Sequence, residues 1–311
     1  MKNIFRTILF ATLLLGLSSC YDGYVQDYEE PSMGFAMEKS VRTVISDRDA
    51  VVYIGVAIGG KREVDMNDWA KFVIDESLLE GTGKELLPPS YYELGDPEMM
   101  RVRKNNLPVA DVKVTLTSAF FADPLSLTEH YVLPFRMVDN SLMTEGYQGG
   151  IREGAEYTLP VFKYISNYAG TYFRMGKVTE IDESGNAVGN ATTYGDTWDI
   201  IKSPTVDFTT NAPHVVVRPG LGADASSVGS LVLTIEGASV TASGVEGKAA
   251  VTGFSGTYTT EGEYVFPGQM DTKAPQFDLK YTYAKSGKNY KVEEKLVLRQ
   301  DPQLDFRATA W

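Results

Sequence analysis

Strict alternation of apolar and polar residues is the feature that most limits what this chain can become. In ADVKVTLTS (110–118), Val112, Val114 and Leu116 share one face, while Lys113, Thr115 and Thr117 share the other. GSLVLTIEG repeats the pattern with Leu231, Leu233 and Ile235, and QFDLKYTYAK repeats it with Phe277, Leu279, Tyr281 and Tyr283. Successive side chains of a strand point to opposite faces, so each stretch reads as a half-buried strand. Lys285-Ser286-Gly287-Lys288 then supplies a turn, and residues 290–299 return, which predicts a hairpin. IDESGNAVG (181–189) predicts another hairpin loop, and the β-runs 51–58 and 69–75 flank a polar, glycine-containing connection. Helical spacing is nearly absent: only residues 75–81 offer a turn, with Asp75 as its cap and Gly81 as its stop. Many short strands separated by turn signals predict an all-β chain of sandwiches or barrels.

The first nineteen residues do not fit that pattern. Lys2 and Arg6 precede an apolar run over residues 8–17, followed by Ser18, Ser19 and Cys20, the one cysteine in the chain. The charged, apolar, small-residue order is that of an export leader, and the run is too short to span a bilayer. Leu17-Ser18-Ser19-Cys20 resembles a bacterial lipobox, in which the cysteine is acylated and becomes the new N-terminus. The competing reading is an ordinary secretory leader with an incidental cysteine. A lone thiol cannot close an internal disulfide, so lipidation at Cys20 gives it a role. Behind it, YDGYVQDYEEPS carries Asp22, Asp27, Glu29 and Glu30 with no base before Lys39, as a solvated tether would. Acidic residues in that place also resemble the surface-export signal of Bacteroidota lipoproteins. The expected location is the outer membrane, lipid-anchored and facing the cell exterior.

Taking Lys2 and Arg6 from 29 basic residues leaves 27 against 41 acidic, a mature net charge of about −14. Phosphate-binding surfaces need clustered Lys and Arg, so nucleic acid is not an expected partner. The expected organisation is a leader over 1–19, an acidic tether over 20–32, one β-domain over 33–163 and a second over 164–311. The boundary follows EYTLPVFKY and precedes NYAGTY.

Within the first domain, KFVIDESLLEGTGKELLPPSYYEL (71–94) is followed by the strand VKVTL and then by EHYVLPFRMVD (129–139). This order is similar to the N-terminal module of Bacteroidota surface lipoproteins from polysaccharide-utilisation systems. KNNLPVADVKV departs from it, in a turn where that family carries Ile and Gly. The resemblance implies an immunoglobulin-like β-sandwich over 33–163. The second half is similar to the β-rich domain that accompanies the module, an antiparallel, lipocalin-like β-barrel or a second sandwich. It further implies a glycan-handling role at the cell surface, with a polysaccharide or oligosaccharide as ligand and an outer-membrane importer as companion. It supplies no catalytic residues.

The residues themselves point away from catalysis. His130 and His214 sit at strand edges, where a structural role is expected, and no G-x-S-x-G elbow is present. The chain lacks His and Cys at zinc-ligand spacing, and no cofactor is expected. An acid pair for glycoside hydrolysis could hide among 41 carboxylates, but the alternating strands and helices of an α/β barrel are missing. DESGN (182–186) gathers oxygen ligands without the closing Glu of a calcium loop, so a turn is expected there.

Aromatic residues remain as binding candidates, because sugars stack their C–H faces on flat rings beside polar groups. TTYGDTWDI (192–200) holds Tyr194, Asp196, Trp198 and Asp199. Tyr194 and Trp198, four apart, would share one face of a strand. They form either a sugar platform or part of a barrel core. Trp69, which opens the strand WAKFVID, is expected in the core, and Tyr91 and Tyr92 are expected to be structural. Trp311 could mimic the terminal aromatic of an outer-membrane barrel, but Glu294 interrupts the apolar face of 290–298. The expectation is a non-catalytic glycan binder. The alternatives are a structural or adhesion protein that binds another protein, and a small-ligand carrier with a lipocalin-like cavity.

Overall fold

The computed structural model describes residues 30–48, 50–61, 65–103, 107–145, 150–224, 229–244, 250–305 and 310–311. Cys20 and most of the acidic tether lie outside the described residues. The chain is 53% strand and 10% helix, so alternation carried the fold class correctly.

The first set of strands is β1 (Ser32–Phe35), β2 (Lys39–Ile45), β3 (Val51–Gly59), β4 (Trp69–Ile74), β5 (Glu85–Leu86), β6 (Tyr92–Leu94), β7 (Met99–Val102), β8 (Val109–Leu116), β9 (Tyr131–Val132), β10 (Phe135–Asn140) and β11 (Tyr157–Ile165). β3 and β8 pair antiparallel, with Ile54 opposite Val112 and Val52 opposite Val114. β11 starts beside β10 and then lies between β2, to which it is parallel, and β9. The strands so joined enclose one apolar core, which includes Ile54, Phe72, Val112, Phe120, Phe135 and Phe162. The predicted inward set of β8, Val112, Val114 and Leu116, is buried, together with Ala110.

Local features follow from the same residues. Asp75 caps a 3₁₀ turn at Glu76–Leu79 by accepting from the Ser77 amide. In the Leu-Pro-Pro-Ser-Tyr-Tyr stretch, the Tyr91 hydroxyl reaches Asp123 at 3.0 Å, and Tyr131 reaches the same carboxylate oxygen at 2.5 Å. Trp69 departs from expectation. It opens β4 but is only half-buried, because the inward positions of that strand are Ala70 and Phe72.

The second set is β12 (Gly170–Ile181), β13 (Thr192–Tyr194), β14 (Thr205–Ala212), β15 (Val215–Pro219), β16 (Ser230–Glu236), β17 (Ser239–Gly244), β18 (Val251–Thr259), β19 (Gln276–Lys285) and β20 (Lys288–Leu298). Sequential antiparallel pairing from β14 to β20 returns to β12, closing an eight-stranded barrel, while β13 lies alongside β12. Closure is extensive: Tyr172 opposes Leu298, and the ladder runs on to Ile181 opposite Asn289. Of the two architectures left open, barrel or sandwich, the barrel is the one formed. Eight strands give an interior just wide enough for side chains to fill. Tyr172, Phe208, Leu233, Phe277, Tyr281 and Leu296 occupy it. The outward positions of β20 include Lys291, Glu293 and Lys295, whereas a lipid-facing barrel would present apolar residues there.

Both predicted hairpins form. β19 and β20 pair through Lys285 opposite Lys288, with Ser286 at φ +53° and Gly287 at φ +76° making the tight turn. In the 182–186 loop, Asp182 accepts from the Ser184 and Asn186 amides, so its carboxylate closes a turn.

Between the two strand sets, the Ser46 and Ser166 hydroxyls both donate to the Pro213 carbonyl. Arg48 bonds Asn167 at 2.7 Å and both oxygens of Asp301. After β20 the chain returns to the first set. There Trp311 donates its indole N–H to the Leu159 carbonyl at 3.0 Å and packs beside Leu78, Leu86 and Leu159. The ammonium groups of Lys39 and Lys84 lie 4.7 and 5.0 Å from its ring centre.

Candidate functional site

β13 lies along the second half of β12, with Tyr194 opposite Gly176 and Thr193 opposite Lys177. At Gly195 the strand ends, because φ is +79° and a Cβ would lie 2.3 Å from the Arg174 carbonyl oxygen. The loop that follows is held at several points. Asp196 accepts from the Trp198 amide at 2.8 Å and the Asp199 amide at 3.0 Å. Those two amides hold its carboxyl below the usual carboxylate range. The Asp196 amide donates to Ser203 Oγ at 2.8 Å, and Tyr264 donates its hydroxyl to the Thr197 carbonyl at 3.2 Å. Asp199 pairs with Lys202 at 2.9 Å, which raises the pKa of the lysine. In the middle of this pinned loop, Trp198 is 98% exposed.

The expectation that Tyr194 and Trp198 share a strand face is therefore corrected: the turn at Gly195 sends them in opposite directions. Tyr194 points into the barrel, where its hydroxyl donates to Glu294 Oε2 at 2.9 Å. Burial, and then the Glu294 charge, push its pKa well up. Gly176 makes room for it, since a Cβ there would lie 2.9 Å from the Tyr194 oxygen. The two readings of the pair thus divide. Tyr194 belongs to the interior, and Trp198 stands in solvent.

Glu294, which the sequence showed only as an interruption, anchors an interior network. It accepts from Arg218 Nη2 at 2.8 Å and from the Tyr281 hydroxyl at 3.1 Å. Arg218 and Arg174 both donate to the Gly222 carbonyl, and the Gly222 amide donates to the Tyr281 oxygen. Burial works against the Arg218 charge, but Glu294 and the surrounding tyrosines raise its pKa nonetheless. Arg174 is lowered by burial and by the neighbouring Arg218. This network fastens the 219–223 segment and the root of the Trp198 loop to the same carboxylate.

Below the Trp198 loop lies a groove of about 570 Å³, within the range of small-molecule sites; of the four sequence-predicted residues, Tyr194 lines it, while Asp196, Trp198 and Asp199 do not. Thr193, Gly195 and Thr197 contribute to its lining, and so does Tyr264. Its floor is the outer face of three adjacent strands, β12, β20 and β19. Lys177, Glu293 and Lys280 form one cross-strand row, and Met175, Lys295 and Asp278 form the next. Lys177 sits 3.2 Å from Glu293, and this contact above all holds the Glu293 carboxyl below its usual range. Sequence reasoning did not pick out Tyr264 or the floor residues. The lysines were legible as outward strand positions, but their meeting depends on barrel closure. Tyr264 lies in a loop without periodicity.

A second cavity, of about 390 Å³, lies between the strand sets, lined by Phe121, Tyr164, Pro213 and His214 among others. His214 stands 3.5 Å from Asp47, and His130 stands 3.3 Å from Glu85, with its ring edge-on to Tyr131. Neither histidine lines the groove below the Trp198 loop. Among the described residues, no group of three or more His, Cys, Asp or Glu is placed to hold a metal ion.

A family model described as "-like, N-terminal domain" matches residues 22–143. No curated protein matches the sequence. Among solved structures, a Bacteroides ovatus protein of unknown function is 21% identical, with a TM-score of 0.68 over 88% of this chain and 95% of its own. A Bacteroides ovatus multidomain protein including DUF1735 is 14% identical, with a TM-score of 0.43 over 90% of this chain and 99% of its own. The first likeness shows a shared fold. The family match falls on the first strand set and leaves the barrel and its groove unmatched.

Proposed function

We propose that the chain is a non-catalytic lipoprotein, anchored through Cys20 and displayed on the cell surface, that binds glycan for a polysaccharide-utilisation system. The observation that carries this reading is Trp198. A large apolar ring that is 98% exposed gains nothing for folding, yet its loop is hydrogen-bonded at Asp196, Thr197 and Ser203. Such a ring is pre-organised to stack on a sugar face, and the adjoining groove offers hydroxyl and charged partners for sugar hydroxyls. Glu293, held ionised by Lys177, suits a hydrogen-bond acceptor better than a proton donor.

Affinity electrophoresis and calorimetry against a panel of plant, microbial and host mucin glycans test the proposal. Retention by at least one glycan, lost in Trp198→Ala, is the expected result. No retention on any glycan, or retention indifferent to Trp198, sinks it. For the anchor, metabolic labelling with a fatty acid should mark the wild-type chain and leave Cys20→Ala unlabelled.

A second reading, a protein-binding or adhesion role, draws on Ile201 and Met270, which are 65% and 92% exposed on the Trp198 loop and the loop before β19. Glycan-independent capture of a defined surface protein would favour it. The carrier reading finds an interior filled by side chains, with Arg218 and Glu294 at its centre.

A further inference from the structure

One lysine of the groove floor is left without an ion pair among the described residues. Glu293 is the hub: Lys177 lies 3.2 Å from it and Lys291 lies 3.7 Å from it. Lys280 faces it across the strand pair and adds to the field that keeps it ionised. The other acids nearby are occupied. Glu263 is paired with Lys295, and Asp278 accepts from the Gln276 side-chain Nε2 at 2.7 Å. On the loop that carries Trp198, Asp196 is engaged by two backbone amides and Asp199 by Lys202. Lys280 alone among the floor lysines has no carboxylate within ion-pair distance among the described residues, and it is exposed.

This arrangement stands out against the rest of the molecule. The chain has 41 acidic and 29 basic residues, so its overall field repels anions. Lys177, Lys280 and Lys295 line the floor with Glu293 and Asp278, and Glu263 is paired to Lys295, so the floor is balanced where the chain as a whole is acidic, with the Lys280 ammonium left over from its ion pairs. Complementary local charge sets which ligands are admitted more than how tightly any ligand can bind. Lysine is suited to the task, because a flexible ammonium can reach either a carboxylate or a sulfate without a fixed bidentate geometry.

From these observations we infer that the groove takes an acidic saccharide, with a sugar ring stacked on Trp198 and its carboxylate or sulfate met by Lys280, flanked by Lys177 and Lys295. The inference rests on the glycan-binding reading and adds the charge class of the ligand.

The test uses paired probes that differ only in charge: dextran against dextran sulfate, and methyl-esterified against de-esterified polygalacturonate. Wild type, Lys280→Ala, Trp198→Ala and a distant control, Lys71→Ala, are compared by affinity electrophoresis at low and physiological salt. The expected result is at least tenfold tighter binding to one acidic member than to its neutral partner. That preference should weaken with salt, be lost in Lys280→Ala and be kept in Lys71→Ala. Which acidic probe binds separates the carboxylate source from the sulfate source. Equal or better binding of the neutral members, still lost in Trp198→Ala, overturns the charge assignment and leaves the glycan reading standing. A preference lowered equally by Lys280→Ala and Lys71→Ala also overturns it, since that is attraction without a site. No binding to any probe or to the wider glycan panel overturns both readings.

Discussion

Arg218 and Glu294 meet at 2.8 Å inside the barrel, and both side chains have no solvent exposure. Burying two charges carries a heavy desolvation cost, which their attraction offsets only while the remaining donors and acceptors are also satisfied. Tyr194, Tyr281 and the Gly222 carbonyl supply those bonds. Glu294→Gln or Arg218→Met should therefore lower the unfolding free energy by about 3–5 kcal/mol, since each strands one buried charge. Replacing both by apolar residues of similar volume should cost much less than the sum of the single changes. Urea unfolding of the three variants checks this, and additive losses would contradict it.

Tyr194→Phe keeps the ring and removes one donor from Glu294. A loss of about 1 kcal/mol is expected. The more telling measurement is hydrogen exchange at residues 196–199, which should speed up because the root of the loop is released from the interior. Unchanged protection there would mean that the Tyr264 and Ser203 contacts hold the loop unaided.

Trp198→Ala should change stability by less than about 0.5 kcal/mol, because an exposed side chain contributes little to folding. Glycan binding should fall at least tenfold. A clearly destabilised variant would show that the ring packs in the native protein.

The pH dependence should be steepest on the alkaline side. Burial, assisted by Tyr168, pushes the Tyr258 hydroxyl up to about 12, and burial also raises Tyr172 well above its ordinary value. In the unfolded chain these groups ionise near the ordinary tyrosine value of about 10. The folded state keeps its protons where the unfolded state has lost them. Their contribution is thus whole below about pH 10 and declines as pH rises toward 12, by up to about 1.4 kcal/mol per unit for each tyrosine. Unfolding free energies from pH 8 to 12 should follow that course, with a shallower fall in Tyr258→Phe.

Ser286 holds φ +53° in the turn that joins β19 to β20. Asparagine tolerates that backbone better than serine does, so Ser286→Asn should stabilise by about 0.5 kcal/mol. A lower thermal midpoint would show that the serine hydroxyl matters to the turn.

What could be read from the sequence was local. The β19–β20 hairpin was legible because Phe277, Leu279, Tyr281 and Tyr283 alternate cleanly up to a four-residue turn. Barrel closure was not, since it joins Tyr172 to Leu298, and no spacing rule reaches across such a separation. Glu294 was visible as a charge on an apolar face, but Arg218, which explains it, lies on another strand 76 residues away. In the candidate site the aromatic cluster was legible, whereas its geometry was not. A period-two argument carried Trp198 onto the face of Tyr194, although Gly195 between them already held the turn signal. The lysines of the floor were separable only into outward positions, and their convergence is a product of the closed sheet.

The contact between Trp311 and Leu159 spans 152 residues, with the whole barrel lying between the two. Closing so long a loop carries a large entropic cost, and contacts of this kind form late. The patch around Leu78, Leu86 and Leu159 must therefore wait, uncovered, until residues beyond the barrel have been synthesised and have found their way back. As the chain emerges, its first-built domain is the one finished last.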